Sequence, residues 1–320
     1  MAHDPNRILC LSGAEIQHLV DPARGIEALA QGFMALSRGE VHAPPRPKVE
    51  VAGKGFTLSM LAVAPGQHIA LKAVSVYEGN HELGLASHQA TVSLFDRDTG
   101  VPLAVMDGAS ITGLRTAAGA MLSIRAMARA DSRIATIIGG GVQARSHAQL
   151  LRFVGSFDEI RIYARRAEAA KAVAAGLPNA RIVSDLADAV ATSDVVCLTT
   201  AARHPVIEDG WVLPGTHVTS VGYAPPDSEL PRALIDRASL FVESRTAFLP
   251  APVGCAELAG RNATHSAELG EVLLGSKPGR TSAEQVTLYK SMGNAMEDMV
   301  IANLAYTEAL RLGIGQSVLI

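Results

Sequence analysis

The sequence predicts an α/β protein in which one domain is built on a doubly wound parallel sheet. Three observations lead to this prediction. The chain has 320 residues, which is more than one typical core needs, so two domains are expected. From Ser110 onward, short apolar runs alternate with helical segments, as in parallel sheets covered on both faces. The first of these runs ends in three glycines that lead directly into a helix.

Composition and charge argue against several classes of function. Only 18% of the residues are charged and the formal net charge is −3, so nothing indicates nucleic acid or an anionic membrane as a partner. No apolar run approaches the roughly 20 residues that span a bilayer, and the N-terminus has no apolar signal core. The three cysteines are far apart and form no Cys/His cluster, which predicts reduced thiols and no metal site. We therefore predict a cytoplasmic protein.

The first third of the chain predicts a mixture of strands and helices. "RILCL" predicts a short strand, and apolar residues recur at helical spacing from Pro22 to Ser37. After a proline-rich break, the segments "KVEVA", "FTLSMLAV", "HIALKAVSVYE" and "ATVSLFD" predict strands, and "DRDTGVPLAVMDG" predicts a hairpin. The next helix is predicted to be capped by Ser110 or Thr112.

The remainder predicts a series of strands separated by helices. Apolar runs occur at "IATII", "EIRIYA", "ARIV", "DVVCLTT", "HVTSVG" and "SLFVES". The segment "EQVTLYKSMGNAMEDMVIANLAYTEALRL" predicts a strand followed by a long last helix, which is expected to return to the first domain. The predicted domains are therefore residues 1–112 with 298–320, and residues 113–297.

The glycine triplet has the pattern of a dinucleotide-binding loop. In "IIGGGVQA", Gly139-x-Gly141-x-x-Ala144 follows a strand and opens a helix. Gly139 permits a tight turn, Gly141 lets a pyrophosphate approach the backbone, and Ala144 permits close packing of helix on strand. At the first crossover of several alternating units, this pattern predicts a Rossmann-type domain that binds a dinucleotide.

The end of the second strand indicates which dinucleotide. An NAD site usually has an acidic residue there, which accepts a hydrogen bond from the ribose 2′-hydroxyl group. Here the strand ends in "RIYARR", with no acidic residue and with Arg165 and Arg166 where a 2′-phosphate would lie. Two arginines after a strand are often only solvated surface charges. Here they occur at the place where the acidic residue of an NAD site is absent, and this combination favours NADP(H), with NAD(H) as the alternative.

With these motifs in hand, the chain resembles the ornithine cyclodeaminase/mu-crystallin family along its whole length. The matching segments include "LKAVSVYEGN", "GLASHQATVSLFDRDTGVPLAVMDG", "ITGLRTAAGA", "IIGGGVQA" and "KPGRTSAEQVTLYKSMGNAMED". The resemblance implies a homodimer whose α/β N-terminal domain forms the dimer contact and the substrate pocket, with a Rossmann domain for NAD(P). It also implies hydride transfer at the α-carbon of a small amino or imino acid.

Family positions carried over by the resemblance suggest the substrate site. Arg46 in "PPRPK" and Arg115 in "GLRTA" match the residues that bind the substrate carboxylate, Lys72 matches the catalytic lysine, and Met60 falls where the family lines the pocket. The residue pattern agrees for two of them. Lys72 projects from an apolar strand face, although a lysine that snorkels to water is equally compatible with the pattern. Arg115 shares an apolar helical stripe, so its guanidinium needs either a bound carboxylate or a structural acid partner.

The resemblance also suggests the residues that contact the cofactor. These are Thr116, Gly139, Gly141, Val142, Gln143, Ala144 and Ser291, the last of them near the nicotinamide, together with Arg165 and Arg166 from the strand-end argument. His88 is interpreted as a satisfied polar residue at a strand start rather than as a catalyst.

One departure from the family pattern bears on the reaction. Cyclodeaminating members have an aspartate in a Gly-x-Asp-x-Pro segment, whereas this chain has "SVGYAPPDSEL", with Ala224 at the comparable place and Asp227 after the prolines. Alanine cannot accept a proton or orient an amine. The sequence thus predicts an imine (ketimine) reductase, with ornithine cyclodeaminase and a non-catalytic NADPH-binding protein as the alternatives.

Overall fold

The computed structural model describes residues 6–226 and 228–319, so Asp227 lies outside the described residues. These residues form two compact units: unit 1 contains the described residues up to Arg115 and those from Asn294 onward, and unit 2 is Thr116–Gly293. The boundary predicted at 297/298 differs from this division. A boundary there would cut the last helix, Ala295–Leu312, within its first turn. The chain instead passes between the units just before that helix begins.

In the second half of the chain, α-helices separate most but not all of the successive strands. The strands are β1 (Arg7–Leu11), β2 (Lys48–Val51), β3 (Gly55–Ala62), β4 (Ile69–Val76), β5 (His88–Phe95), β6 (Pro102–Asp107), β7 (Ile134–Ile138), β8 (Glu159–Tyr163), β9 (Ala180–Ile182), β10 (Val195–Leu198), β11 (His217–Ser220), β12 (Ser239–Val242), β13 (Ala267–Glu268), β14 (Thr287–Lys290) and β15 (Gln316–Leu319). The α-helices are α1 (Gly13–Leu19), α2 (Pro22–Ser37), α3 (Gly108–Met127), α4 (Val142–Leu150), α5 (Ala167–Ala174), α6 (Leu186–Ala191), α7 (Arg232–Arg237), α8 (Leu269–Leu273) and α9 (Ala295–Leu312).

Unit 1 is built on a seven-stranded sheet with the order β15-β1-β6-β5-β4-β3-β2. Because side chains alternate along a strand, one face carries buried residues such as Leu58, Val74 and Val92, and the other face is partly exposed. Helix α9 packs across β3, β4 and β5 and against α2, so the predicted return of the last helix to the first domain is confirmed.

Helices α2 and α3 begin at aspartates that cap their first turns. The helix predicted from Pro22 to Ser37 is confirmed, and Asp21 Oδ1 accepts a hydrogen bond from the Arg24 amide at 2.9 Å. Helix α3 begins at Gly108, directly after β6, and Asp107 Oδ1 accepts from the Ser110 amide at 2.7 Å. The predicted caps Ser110 and Thr112 are therefore wrong, because both residues already lie inside the helix.

Unit 2 is a doubly wound sheet with the order β13-β12-β14-β11-β10-β7-β8-β9, in which every paired strand is parallel. Strand β7 lies between β8 and β10. The chain first adds β8 and β9 on one side of β7, and then crosses back to add β10 and β11 on the other side. Such a switch point leaves a crevice at the carboxyl ends of the strands, where ligands bind in this fold. The predicted Rossmann-type fold class is confirmed. Within the described residues, no helix combines the length and apolar character needed to cross a bilayer.

Candidate active site

Lys72 lies on the covered face of the unit 1 sheet. Met60 on β3 and Val92 on β5 are its direct neighbours in register, and all three side chains are buried. Lys72 is only 2% exposed, so its ammonium group does not snorkel to water. An ammonium group in such surroundings requires an anionic partner, because the desolvation of an unpaired buried charge costs on the order of several kcal/mol.

Helix α9 provides that partner. Lys72 Nζ lies 3.1 Å from Asp298 Oδ1 and 3.3 Å from Asp298 Oδ2. Arg115 Nε donates to the same Asp298 Oδ1 at 3.2 Å, and its Nη1 donates to Glu297 Oε2 at 3.3 Å. Lys72 and Arg115 are therefore brought together across one buried carboxylate.

The first turn of α9 fixes these carboxylates in place. Asn294 caps the helix, accepting from the Met296 amide at 2.9 Å, while Glu297 Oε1 accepts from the Asn294 amide at 2.7 Å. This reciprocal capping box leaves Glu297 Oε2 for Arg115. The neighbouring Asp298 is 1% exposed, lies in the same first turn and forms its ion pair with Lys72.

The surroundings change the proton affinity of Lys72. The pKa of Lys72 is lowered to about 8, mainly by burial and in part by the positive charge of Arg115, while the negative charge of Asp298 opposes the decrease. At neutral pH the ammonium form therefore predominates but loses its proton far more readily than an exposed lysine. A group of this kind can donate a proton to a bound base.

His88 begins β5, as its interpretation as a polar residue at a strand start predicts, and it lies near enough to the cluster to be influenced by its charges. It lies on the same sheet face as Lys72, opposite Val76 in the register of β4 and β5. Burial lowers the pKa of His88 to about 4, and the charges of Lys72 and Arg115 contribute to the decrease. His88 is therefore a neutral imidazole at physiological pH.

Arg46 is buried rather than exposed in its proline-rich segment, at 9% relative exposure. The segment runs alongside β3: His42 pairs with Val63, and the Ser59 amide donates to the Pro47 carbonyl oxygen. This places Arg46 beside the part of β3 that contains Met60. Its predicted role in binding a carboxylate stays a prediction.

The glycine loop of unit 2 has the geometry that a pyrophosphate requires. Gly139 has φ of +146°, and a Cβ atom there would lie 2.3 Å from Thr199 Oγ1, so only glycine fits. A Cβ atom on Gly141 would meet nothing within 4 Å, so the approach to the N-terminus of α4 is open. Gly141 is the N-cap and supplies no side chain, while Ala144 is fully buried under the helix. The amide groups of this first turn fit a phosphate anion.

The other predicted cofactor residues occupy different parts of unit 2. Val142 is 55% exposed at the first position of α4, and Gln143 follows it. Arg165 and Arg166 are exposed directly after β8, whose last carbonyl group, that of Tyr163, accepts from the Gly139 amide at 2.9 Å. These arginines therefore follow the strand that adjoins the glycine loop. Thr116 is buried in α3, and its cofactor contact stays a prediction.

Ser291 lies in an irregular segment between β14 and α9, where it contacts the buried acid Glu243. It follows β14 and is 2% exposed, and its hydroxyl group donates to Glu243 Oε1. Glu243 Oε2 also accepts from the Gly293 amide at 2.9 Å. Glu243 directly follows β12, so it ties the ends of two adjacent strands together.

Sequence reasoning missed the acidic members of the site. Glu297 and Asp298 lie next to each other in "AMEDMV", and two acids in an apolar stretch of a helix are a signal that they pair with buried cations. Glu229 in unit 2 gave a weaker signal, because its partners lie in loops that follow two different strands.

Comparisons with known proteins show which family this chain is similar to. The family model described as "Ornithine cyclodeaminase/mu-crystallin family" matches residues 8–312. The ketimine reductase mu-crystallin of Mus musculus is 38% identical over 304 residues, which are 92% of this chain and 96% of that protein.

Two solved structures extend the likeness to the whole fold. The Thermococcus litoralis Δ1-pyrroline-2-carboxylate reductase in complex with NADH and L-proline superposes with a TM-score of 0.91 at 33% identity, covering 97% of this chain and 100% of that one. An archaeal alanine dehydrogenase dimer with bound NAD gives a TM-score of 0.87 at 30% identity, covering 98% and 99%.

The fold and the site thus define a nicotinamide-dependent oxidoreductase that acts on small amino or imino acids. The chain belongs to the ornithine cyclodeaminase/mu-crystallin family.

Proposed function

We propose that this chain is an NAD(P)H-dependent imine reductase whose substrate carries a carboxylate next to its C=N bond. The observation that carries the proposal is the buried Lys72–Asp298–Arg115 cluster, which combines a proton donor with an arginine in a site shielded from water. The relatives named as ketimine and pyrroline-2-carboxylate reductases support it.

In the proposed mechanism, the residues of unit 1 bind the substrate and supply the proton. Arg115 and Arg46 bind the carboxylate of the imino acid, because a planar guanidinium matches a carboxylate with two parallel hydrogen bonds. Lys72 donates a proton to the imine nitrogen, and Asp298 holds the ammonium group in position. His88, neutral near pH 7, can accept a hydrogen bond from the N–H group of the protonated imine. Met60 forms part of the apolar wall.

The residues of unit 2 would hold the cofactor. The glycine loop, with Gly139, Gly141 and Ala144, fits the pyrophosphate, and Ser291 would lie near the nicotinamide. When bound, the nicotinamide supplies the hydride that the α-carbon of the imine accepts. Arg165 and Arg166 support a preference for NADPH, whereas the solved relatives contain NADH or NAD.

Ornithine cyclodeamination is the less supported alternative. Ala224 follows the end of β11 by a few residues, and its methyl group can neither take up a proton nor orient the distal amine of ornithine. A reductase consumes one reduced cofactor for each product molecule, whereas a cyclodeaminase consumes none. The stoichiometry of cofactor oxidation therefore separates the two.

The decisive experiment is NADPH oxidation by the purified protein with a panel of cyclic and linear imino acids. We expect stoichiometric oxidation with at least one of them, and a loss of about 10³-fold or more in kcat for Lys72→Met, of the order of a lost general acid. Formation of proline and ammonia from ornithine with catalytic NAD⁺ would overturn the proposal. Tight NADPH binding without turnover across the panel would instead indicate a non-catalytic binding protein.

We also propose that the protein is a cytoplasmic homodimer that associates through the exposed face of the unit 1 sheet. On strands β3, β4 and β5, the outward side chains from Thr57 to Phe95 include no charged group, and Leu61 is 40% exposed. An uncharged, partly apolar sheet face of this kind suits association with a second copy. The three free cysteines are compatible with a reducing compartment.

A further inference from the structure

Gly222, just beyond the end of β11, is held from both sides by buried charged groups of unit 2. Its amide donates to Glu229 Oε1 at 2.7 Å, and its carbonyl oxygen accepts from Lys290 Nζ. Glu229 is 2% exposed and Lys290 is fully buried. Burying two charged side chains costs free energy of desolvation. The presence of both at Gly222 therefore indicates that the position of this residue matters.

Glu229 also ties Gly222 to the loop that follows the neighbouring strand. Its Oε1 accepts from the Ser220 hydroxyl group at 2.8 Å, in addition to the Gly222 amide. Its Oε2 accepts from the amide of Thr200 at 2.9 Å and from the Thr200 hydroxyl group at 2.6 Å. Since Thr200 follows β10 and Gly222 follows β11, one carboxylate joins the loops of two adjacent strands.

Lys290 completes the arrangement from the next strand. It is the last residue of β14, and its ammonium group lies 2.9 Å from Glu257 Oε1. Burial alone would lower the pKa of Lys290, but the negative charges of Glu257 and Glu229, with a contribution from Cys255, outweigh burial and raise the pKa. The lysine therefore remains charged and keeps its hold on the Gly222 carbonyl group.

The position of Gly222 is also sterically defined. A Cβ atom there would lie 2.5 Å from the Thr200 carbonyl oxygen and 2.6 Å from Glu229 Oε1. The two loops thus approach as closely as backbone allows. The loops after β10 and β11 lie at the carboxyl edge of the sheet, where this fold binds its ligand.

We infer that Glu229 and Lys290 are positioning residues, which hold the segment Gly222–Ala224 in the place where it orients the nicotinamide ring. The inference rests on the proposed function, because it assumes that the reduced nicotinamide binds at this edge of unit 2. It assigns the two residues no contact with the substrate or the cofactor. The pyrophosphate would be held elsewhere, by the glycine loop. Glu229 and Lys290, together called the clamp, should therefore govern the orientation of the nicotinamide ring more than the affinity for the dinucleotide.

Glu229→Gln is the variant that tests the inference. In the wild type each carboxylate oxygen accepts from one backbone amide, that of Gly222 or that of Thr200. A glutamine amide replaces one acceptor by an NH₂ group, so whichever way it points, one backbone amide loses its acceptor and one loop is released. Thr200→Val is a gentler second variant, which preserves the shape of the side chain but removes the hydroxyl group that donates to Glu229 and accepts from the Ala202 amide.

The experiment measures three quantities for the wild type and both variants. They are the Kd for NADPH, the fluorescence emission of bound NADPH, and kcat with its isotope effect for NADPH deuterated at the transferred position. For Glu229→Gln we expect a Kd within about 3-fold of the wild type but a 10- to 100-fold lower kcat, because a misplacement of about 1 Å can cost that much. The isotope effect should rise and the emission of bound NADPH should change. Thr200→Val should change kcat in the same direction but only by about 2- to 5-fold, of the order of a weak hydrogen bond, because the backbone amides of Thr200 and Gly222 both keep their acceptors on Glu229.

Glu308→Gln is the matched control, because Glu308 is a buried glutamate that pairs with Arg24 and Arg311 in unit 1, away from the cluster around Lys72. It should leave all three quantities unchanged. The inference is overturned if Glu229→Gln keeps the wild-type emission and kcat. It is also overturned if the affinity for NADPH, kcat and the melting temperature, measured beside these quantities, all fall in parallel. If Glu229→Gln does not fold, unchanged emission and kcat in Thr200→Val overturn it, and the expected decrease supports it. Emission does not depend on turnover, so a wild type that reduces no imine would contradict the proposed function while the clamp is still tested.

Discussion

At the scale of single residues, the pKa of Lys72 determines how the reaction should depend on pH. Burial lowers that pKa to about 8, and the donor is the protonated form. As pH rises through 8, the protonated fraction falls, so kcat/KM should decrease about tenfold per pH unit on the alkaline side. The pKa of His88, about 4, lies far below this range, so its titration should not affect the alkaline limb. A pH–rate profile between pH 6 and 10 measures the limb.

A variant of Asp298 tests the assignment of that limb. Asp298 raises the pKa of Lys72 against the effect of burial, so Asp298→Asn should move the limb to lower pH. Glu308→Gln, which removes another buried carboxylate from the same helix, should leave the limb in place. An alkaline limb that is unchanged in Asp298→Asn would show that Lys72 is not the group that titrates.

The two arginines after β8 should determine the choice between the cofactors. In Arg165→Ser/Arg166→Ser, we expect kcat/KM for NADPH to fall about 10- to 100-fold, as for the loss of charge-assisted hydrogen bonds to a phosphate, while kcat/KM for NADH is unchanged. Lys171→Ser removes an exposed cation from the following helix, α5, and is the control for overall charge. Equal losses with both cofactors would contradict the predicted role of the arginines.

Residues of the site differ in how far the sequence could predict them. The glycine loop could be recognised because its function depends on neighbours within six positions of the chain. The apolar strand face of Lys72 was also a local pattern, but its partner Asp298 lies more than two hundred positions further along. Neither spacing nor composition encodes such a pairing. The resemblance to the family supplied what local pattern could not, including Arg46, which would otherwise have been predicted to be exposed.

At the scale of the elements, helix starts were harder to predict than helix faces. The apolar face of α2 follows from its periodicity, whereas the start of α3 depends on which of several polar residues caps it. Ser110 and Thr112 are good caps in isolation, but β6 leads straight into the helix and Asp107 accepts from the Ser110 amide first. The choice was thus made by the connection between two elements rather than by the residues of one.

The packing of α2 against α9 depends on a glycine. A Cβ atom on Gly32 would lie 2.4 Å from Met296 Sδ and 2.9 Å from Val300 Cγ2. We expect Gly32→Val to lower the free energy of unfolding by about 1–3 kcal/mol, as overpacking of a core does. Because α9 also carries Asp298, kcat should fall as well. Urea denaturation and steady-state kinetics measure the two effects.

Gly79 provides the control for this variant. A Cβ atom there would meet nothing within 4 Å, so Gly79→Ala should change the free energy of unfolding by less than about 0.5 kcal/mol, as is usual for surface positions. If Gly32→Val is as stable as Gly79→Ala, then the two helices can separate without cost and the close contact does not hold α9 in place.

At the scale of the whole molecule, the two faces of the unit 1 sheet have different roles. One face is covered by α9 and contains Lys72, and the other is exposed and uncharged across β3, β4 and β5. If the exposed face is the dimer contact, a charge introduced on that face must be desolvated on association. Leu61 pairs with Leu71 across β3 and β4 and is 40% exposed, so it is a suitable place for that charge.

We therefore expect the wild type to sediment as a dimer and Leu61→Glu to shift toward the monomer at micromolar concentration, because two buried, unpaired carboxylates at a twofold contact cost several kcal/mol, of the order of their desolvation. Leu310→Glu is the matched control: Leu310 is 60% exposed on α9, away from the sheet face, and its substitution should leave the sedimentation coefficient unchanged. A dimer that persists in Leu61→Glu would show that the copies associate through another surface. A wild type that sediments as a monomer would contradict the proposed homodimer.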